Sequence, residues 1–316
     1  MKKRYAGYAA GAAVFLLFLF SSAEARQGAA DGLRLWGTIL VPSLLPYFAA
    51  AGLLTRLGAV SALARRLSGT AARLFGVSGE GAAIFLLGLS GGYPLGAASV
   101  GSLYRSGAIS EEEAEHLLLF CDNSGPAFAV GALGAGVFGS AGWGLMLWGV
   151  HALTAAAVGI VFRGKASGEK RKAAAPPCQP FGAALGESVA AAGETLLRIG
   201  AYVIFFSALL AALNALGFPD TAAGELARRT DGSLSFFRAL LTGALELSSG
   251  IGAMSGMMPS PESLALGAFL LGWGGVCVHW QAGAAAGLPM QKRLGGKLLQ
   301  GVLSAGLAYG IGLIIL

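Results

Sequence analysis

Gly88-Leu89-Ser90-Gly91-Gly92-Tyr93-Pro94-Leu95-Gly96 cuts through the middle of an apolar run, 81–104. In a soluble helix, paired glycines followed by proline end the helix. In lipid the same interruption is tolerated where neighbouring protein satisfies the freed backbone groups. Three more polar interruptions of this kind occur. Asp122-Asn123-Ser124-Gly125-Pro126 follows an acidic helix, Glu246-Leu247-Ser248-Ser249-Gly250 divides the apolar run 236–257, and 273–281 divides the run 263–286. The stretch 88–96 therefore reads as a broken or re-entrant membrane helix, one of several.

The composition supports that reading. Of 316 residues, 55% are hydrophobic and 12% charged. Soluble domains carry about 25% charged residues. Half that value, with a mean hydropathy of +0.68, excludes an ordinary cytosolic enzyme, and it excludes a disordered chain, which needs low hydrophobicity and high charge. A polytopic helical membrane protein remains, since one span takes about 20 apolar residues. The 51 glycines suit close helix packing and the tips of broken helices. The net charge of +6 is read as orientation in the membrane, not as nucleic-acid binding. Cys121, Cys178 and Cys277 show no metal-ligand or disulfide spacing.

The expected organisation is an N-terminal membrane helix (1–30), a first repeat (31–162), a basic cytoplasmic loop (163–180) and a second repeat (181–316). Lys2-Lys3-Arg4 and a following apolar run open the chain, and Ala23-Glu24-Ala25 resembles a signal-peptidase site; the first helix is read as uncleaved. A span at 35–57 contains Pro42 and Pro46. An amphipathic surface helix is expected at 60–75. Ser110 is the expected N-cap of the acidic stretch, with Glu113 completing a capping box. Spans follow at 142–162, 196–216 and 298–316, with a surface-lying segment at 181–194 and a polar loop at 218–235.

The halves match in order. Segment 32–58 pairs with 193–217, the break after 85–88 with the break after 240–243, and the break at 122–126 with that at 273–281. With the N-terminus cytoplasmic and 81–104 and 236–257 re-entrant, 16 of 22 Lys and Arg fall on the cytoplasmic side, Arg293 and Lys297 among them. The bias agrees with the positive-inside rule, and the two repeats then run in opposite directions, as in many secondary transporters.

Polar groups inside apolar spans are expensive and usually face a cavity or a partner. Half-helix N-termini suit anionic groups, and carbonyls or carboxylates suit a coupling cation. The candidate substrate-binding residues are therefore those of the breaks: Ser90, Gly91, Gly92, Tyr93 and Pro94; Asp122, Asn123, Ser124 and Gly125; Glu246, Ser248 and Ser249; His279 and Gln281. Each also has a plainer role. Glu246 can pair with Arg238 or Arg198, Asp122 can cap a half-helix, the serines can bond backbone carbonyls, and His279 can be a core histidine. Tyr93 and Trp280 can be packing aromatics, and His151 is read as structural. No catalytic motif is present: GxSxG, HExxH and phosphate-binding glycine loops are missing.

At these breaks the chain resembles the YlbJ-type sporulation integral membrane proteins, which carry the Gate, or nucleoside-recognition, domain. The resemblance rests on 88–96, on Phe-Cys-Asp-Asn-Ser-Gly-Pro (120–126) and on Gly-Gly-Val-Cys-Val-His-Trp-Gln (274–281). Gly-Leu-Arg-Leu-Trp (32–36), Val-Pro-Ser-Leu-Leu-Pro-Tyr-Phe (41–48), Ser-Glu-Glu-Glu-Ala (110–114) and Leu-Glu-Leu-Ser-Ser-Gly (245–250) extend it collinearly over 30–316. One departure stands out: the family pattern implies Asn where this chain has Asp122, which puts an extra carboxylate near an anionic substrate.

The resemblance implies an all-α polytopic membrane protein of two inverted-topology Gate-type repeats with re-entrant or broken helices. It implies a transporter, not an enzyme, that moves dipicolinic acid from the mother cell across the outer forespore membrane. Its partners would be a small anionic substrate and the lipid bilayer, with no nucleic acid. No cofactor or metal is implied, and coupling to H+ or Na+ is left open. The alternatives are a nucleoside or other small-metabolite transporter of the Gate-domain type, and a non-transporting sporulation scaffold that recruits partners through its basic loop.

Overall fold

The computed structural model describes residues 2–163, 179–289 and 293–316. Cys178, Lys292 and most of the basic loop, including Lys165, Lys170, Arg171 and Lys172, lie outside them. The described residues form helices joined by short breaks and contain no strand. Helices α1 (Lys2–Phe20), α2 (Ser22–Leu35), α3 (Val41–Arg56) and α4 (Ala59–Leu74) come first, with a π-helical turn (Trp36–Leu40) between α2 and α3. Then come α5 (Gly79–Gly91), α6 (Leu95–Arg105), α7 (Glu111–Leu118), a π-helical segment (Ala127–Val137) and α8 (Ala141–Val161). The second half holds α9 (Phe181–Ala215), α10 (Asp220–Thr230), α11 (Leu234–Leu245), α12 (Leu247–Ala253), α13 (Pro261–Trp273), α14 (Gly275–Ala286) and α15 (Leu294–Ile315).

Four described helices are long and apolar enough to cross a membrane: Ala141–Val161, Phe181–Ala215, Pro261–Ala286 taken through its break, and Leu294–Ile315. Two bent pairs raise the number to six if each is one span: Tyr5–Phe20 with Ser22–Leu40, bent by 97°, and Leu44–Arg56 with Ala59–Leu74, bent by 75°. The chain is an all-α polytopic membrane protein.

Helix α8 shows what decides inside from outside. It is apolar all round, so hydrophobic periodicity gives no direction. Burial does. Gly144, Leu147, His151, Thr154, Ala155 and Val158 are buried at helical spacing, while Leu145, Leu153 and Val161 on the opposite face are 60%, 66% and 64% exposed. The buried stripe carries the small and polar residues. Large aliphatics cover the outside, as expected where lipid replaces water. Helices α13 and α15 meet through glycines: a Cβ on Gly272 would lie 2.7 Å from the Gly301 Cα.

Several expectations are corrected. The surface segment 181–194 and the span 196–216 are one 35-residue helix, α9. Nothing in it breaks a helix, and Ser188 and Thr195 return their hydroxyls to the carbonyls of Ala184 and Ala191. The polar loop expected at 218–235 contains α10, where Glu225 pairs with Arg228 and Arg229 one turn on. Those i,i+3 and i,i+4 pairs favour a helix without any apolar face. The break expected over 273–281 is confined to Gly274, and His279 and Gln281 sit within α14. Ser110 caps α7 as expected, but Glu113 does not close a box. Its Oε1 accepts from the Ser78 amide at 2.6 Å and ties α7 to the start of α5.

Candidate functional site

The four breaks meet in a chain of contacts. The break between α5 and α6 lies against 121–125. Gly92 has φ +83°, a conformation open to glycine, and a Cβ there would reach the Gly125 amide at 3.0 Å. Cβ atoms on Gly88 or Gly96 would run into the Cys121 carbonyl. Across the molecule, the break between α11 and α12 lies against that between α13 and α14. A Cβ on Gly275 would sit 3.0 Å from the Gly243 carbonyl and 3.1 Å from the Leu247 amide. Tyr93 joins the two pairs. Its hydroxyl donates to the Leu271 carbonyl at 2.8 Å, at the end of α13.

Asp122 lies at the centre of the first pair and is fully buried. Its Oδ1 accepts from the Ala97 amide at 3.3 Å, in the first turn of α6. Its Oδ2 pairs with Arg293 at 2.8 Å, itself 1% exposed. Lys297, also fully buried, donates to the Asp122 carbonyl, to Gln300 Oε1 at 2.9 Å and to Asn123 Oδ1 at 3.4 Å. Asn123 donates to the Phe120 carbonyl at 2.6 Å and accepts from Gln300 at 3.1 Å. The Ser124 amide donates to His151 Nε2 at 3.0 Å, so the neutral ring carries its proton on Nδ1. Thr154 and Ser304 share a hydrogen bond of 2.6 Å at the edge of the cluster.

Arg293 and Lys297 are therefore not cytoplasmic surface charges, as the charge count had them. A buried carboxylate needs a partner, and Arg293 supplies it through Nη2, while its Nε and Nη1 have no hydrogen-bond partner among the described residues. They were missed as site residues, yet the signal was there. Arg293, Lys297, Gln300 and Ser304 recur at spacings of four, three and four along an apolar helix, which places them on one face.

The second pair holds its carboxylate differently. Glu246 is 3% exposed, and its side chain caps α12 by accepting from the amides of Ser248 at 3.0 Å and Ser249 at 2.7 Å. The alternative role, a pairing with Arg238 or Arg198, is not found among the described residues, and Arg238 pairs with Asp220 at 2.9 Å. His279 is fully buried and packs edge-on against Trp273, with ring centroids 4.4 Å apart. Neither of its ring nitrogens has a hydrogen-bond partner among the described residues. Gln281 donates to Cys277 Sγ at 3.1 Å.

Other candidates stand apart. Ser90 is exposed and bonds the Leu86 carbonyl of its own helix. Ser249 borders an open cavity of about 660 Å³ whose one arginine, Arg238, is already paired. Pro94 and Gln281 alone among the candidates line a cavity of about 300 Å³ bounded by α3, α5, α6, α9 and α14. Its polar lining includes Arg56, Arg105, Arg198 and Glu194, and its apolar wall includes Phe48, Ile84 and Leu87. None of these seven was expected at a site. Arg198 could have been found as the one cation of α9.

The chain is 29% identical over 330 residues to the sporulation integral membrane protein YlbJ of Bacillus subtilis (strain 168), covering 93% of this chain and 80% of that protein. This likeness supports the YlbJ-type family. No family model matches the chain, and no solved structure does. The carboxylate that this chain carries at position 122, where the resemblance implies Asn, is met inside the protein by Arg293.

Proposed function

We propose that this YlbJ-type chain is a membrane transporter, not an enzyme, for a small anionic metabolite, and that it delivers dipicolinic acid to the forespore during sporulation. The observation that carries this reading is the meeting of two pairs of broken helices within one apolar bundle, with Gly92 against Gly125 and Gly243 against Gly275. Discontinuous helices that meet inside a bundle are how many transporters build a substrate path. A structural scaffold has no use for four interruptions whose buried backbone ends must be capped by Asp122 and Glu246. The similarity to a sporulation integral membrane protein supplies the setting. The Gate-type inverted repeat and a cytoplasmic N-terminus belong to the same reading.

The test is uptake into proteoliposomes containing the full chain. Dipicolinate should enter faster than into protein-free vesicles, and uridine should not. Robust uridine uptake with no dipicolinate uptake would replace the substrate by a nucleoside.

A further inference from the structure

We propose that the 300 Å³ cavity, and not the breaks themselves, is the substrate site, and that Arg105 and Arg198 bind the two ends of a small aromatic dicarboxylate there. The inference rests on the transporter reading and gives it a location. The cavity is at the lower end of the size range of small-molecule pockets, which starts at about 300 Å³. Three arginines line it against one glutamate, Glu194. The arginines are not equivalent. Arg56 is already engaged, with Glu187 at 3.2 Å and Ser188 at 3.4 Å. Among the described residues Arg105 reaches the carbonyls of Ala285 and Ala286, at 3.5 and 3.3 Å, and no carboxylate. Among the described residues, no carboxylate pairs with Arg198.

Arg198 lies near the start of the apolar part of α9, exposed and at the cavity wall, and its planar fork suits a carboxylate better than a lysine would. In the same cavity Phe48, Ile84 and Leu87 offer an apolar wall to a ring, and Ser99 and Ser102 on α6 offer hydroxyls. The cavity at Ser249 makes the contrast: its arginine is neutralised by Asp220, so it offers no unmatched positive charge to an anion. Pro94 and Gln281 place the break after α5 and helix α14 at the wall of the cationic cavity, so a movement at the breaks would reach the bound anion directly.

The test places a thiol in the cavity by Ser99→Cys in a Cys178→Ser chain; Cys121 and Cys277 are buried. Reaction rates with negatively and positively charged methanethiosulfonates are compared, with and without dipicolinate, alongside dipicolinate and picolinate uptake. The negative reagent should react about tenfold faster than the positive one, since clefts lined by one sign of charge concentrate counter-ions. Dipicolinate should slow it, and picolinate should protect less. Arg105→Gln with Arg198→Gln should remove the charge preference while a neutral reagent still reacts. Equal or reversed preference in the otherwise wild-type chain overturns the site. Dipicolinate uptake without protection of the thiol also overturns it and leaves the transporter reading intact. Protection without uptake upholds the site and removes the transporter reading instead.

Discussion

Asp122 and Glu246 both place a carboxylate on the amides that open the second half of a broken helix, and they reach it by opposite routes. Glu246 works within its own break, on the two amides that follow it. Asp122 works from a different break, on the Ala97 amide of α6, and is itself held by Arg293 from the start of α15. The first arrangement is a local cap. The second fastens three segments that are 25 and 171 residues apart in the chain. One pair of breaks is thus cross-braced by charge, and the other is held by backbone capping, by glycine contacts and by the Trp273 indole, which donates to the Ala244 carbonyl at 3.0 Å. The second pair also holds His279, whose ring nitrogens have no hydrogen-bond partner among the described residues.

The largest test of that difference is Asp122→Ala. It leaves the Arg293 guanidinium buried and unpaired, and breaking a buried pair costs about 3–5 kcal/mol. Thermal unfolding of the purified protein in detergent should show the loss, and Arg293→Met should restore much of it in the double variant. An unchanged midpoint for Asp122→Ala would mean that charge does not brace the first pair.

Gly96→Ala comes next. The new methyl meets the Cys121 carbonyl, a backbone atom that cannot swing away, and overpacking of this kind costs about 1–3 kcal/mol. Gly252→Ala on α12, where no atom lies within 4 Å, is the matched control and should be neutral or mildly stabilising, since Ala is the better helix former. Both are read from the same unfolding curve.

Glu246→Ala should cost about 0.5–2 kcal/mol, the range for a lost helix cap. It should fall below Asp122→Ala in the same assay; a larger loss would show that Glu246 holds more than its own helix. The smallest effect belongs to His279→Leu. The imidazole makes no hydrogen bond among the described residues, and replacing an unsatisfied buried polar group by an apolar one is nearly neutral or stabilising. A fall in stability of more than about 1 kcal/mol would reveal a partner that the geometry does not show.

Much of this was legible in the sequence because it is local. The break at 91–94 is written in Gly-Gly-Tyr-Pro, the Ser110 cap in the residues it precedes, and the amphipathic α4 in its arginines. Glycine and proline act within a few residues, and so do caps. What escaped was long-range. Arg293 and Lys297 sit at the start of a span, where basic residues usually mark the cytoplasmic face; nothing nearby in the chain shows that they turn inward to a carboxylate 171 residues away. The cavity escaped for the same reason. Arg56, Arg105 and Arg198 come from three helices, each arginine reading alone as an interfacial anchor. Helix α9 was divided because polarity at 181–194 was taken as a sign of a separate surface-lying segment, and α10 was missed because polarity at 218–235 was taken as a sign of loop. Polar helices held by i,i+4 pairs carry no such sign.

The most direct measurement of the central claim is counterflow, because it needs no coupling ion to be known. Proteoliposomes containing the full chain are loaded with unlabelled dipicolinate and diluted into a trace of labelled dipicolinate. A transporter of this anion gives transient accumulation of label that decays as the gradient runs down, and protein-free vesicles give none. A flat trace for dipicolinate from folded protein, with accumulation of labelled uridine in uridine-loaded vesicles, would contradict it.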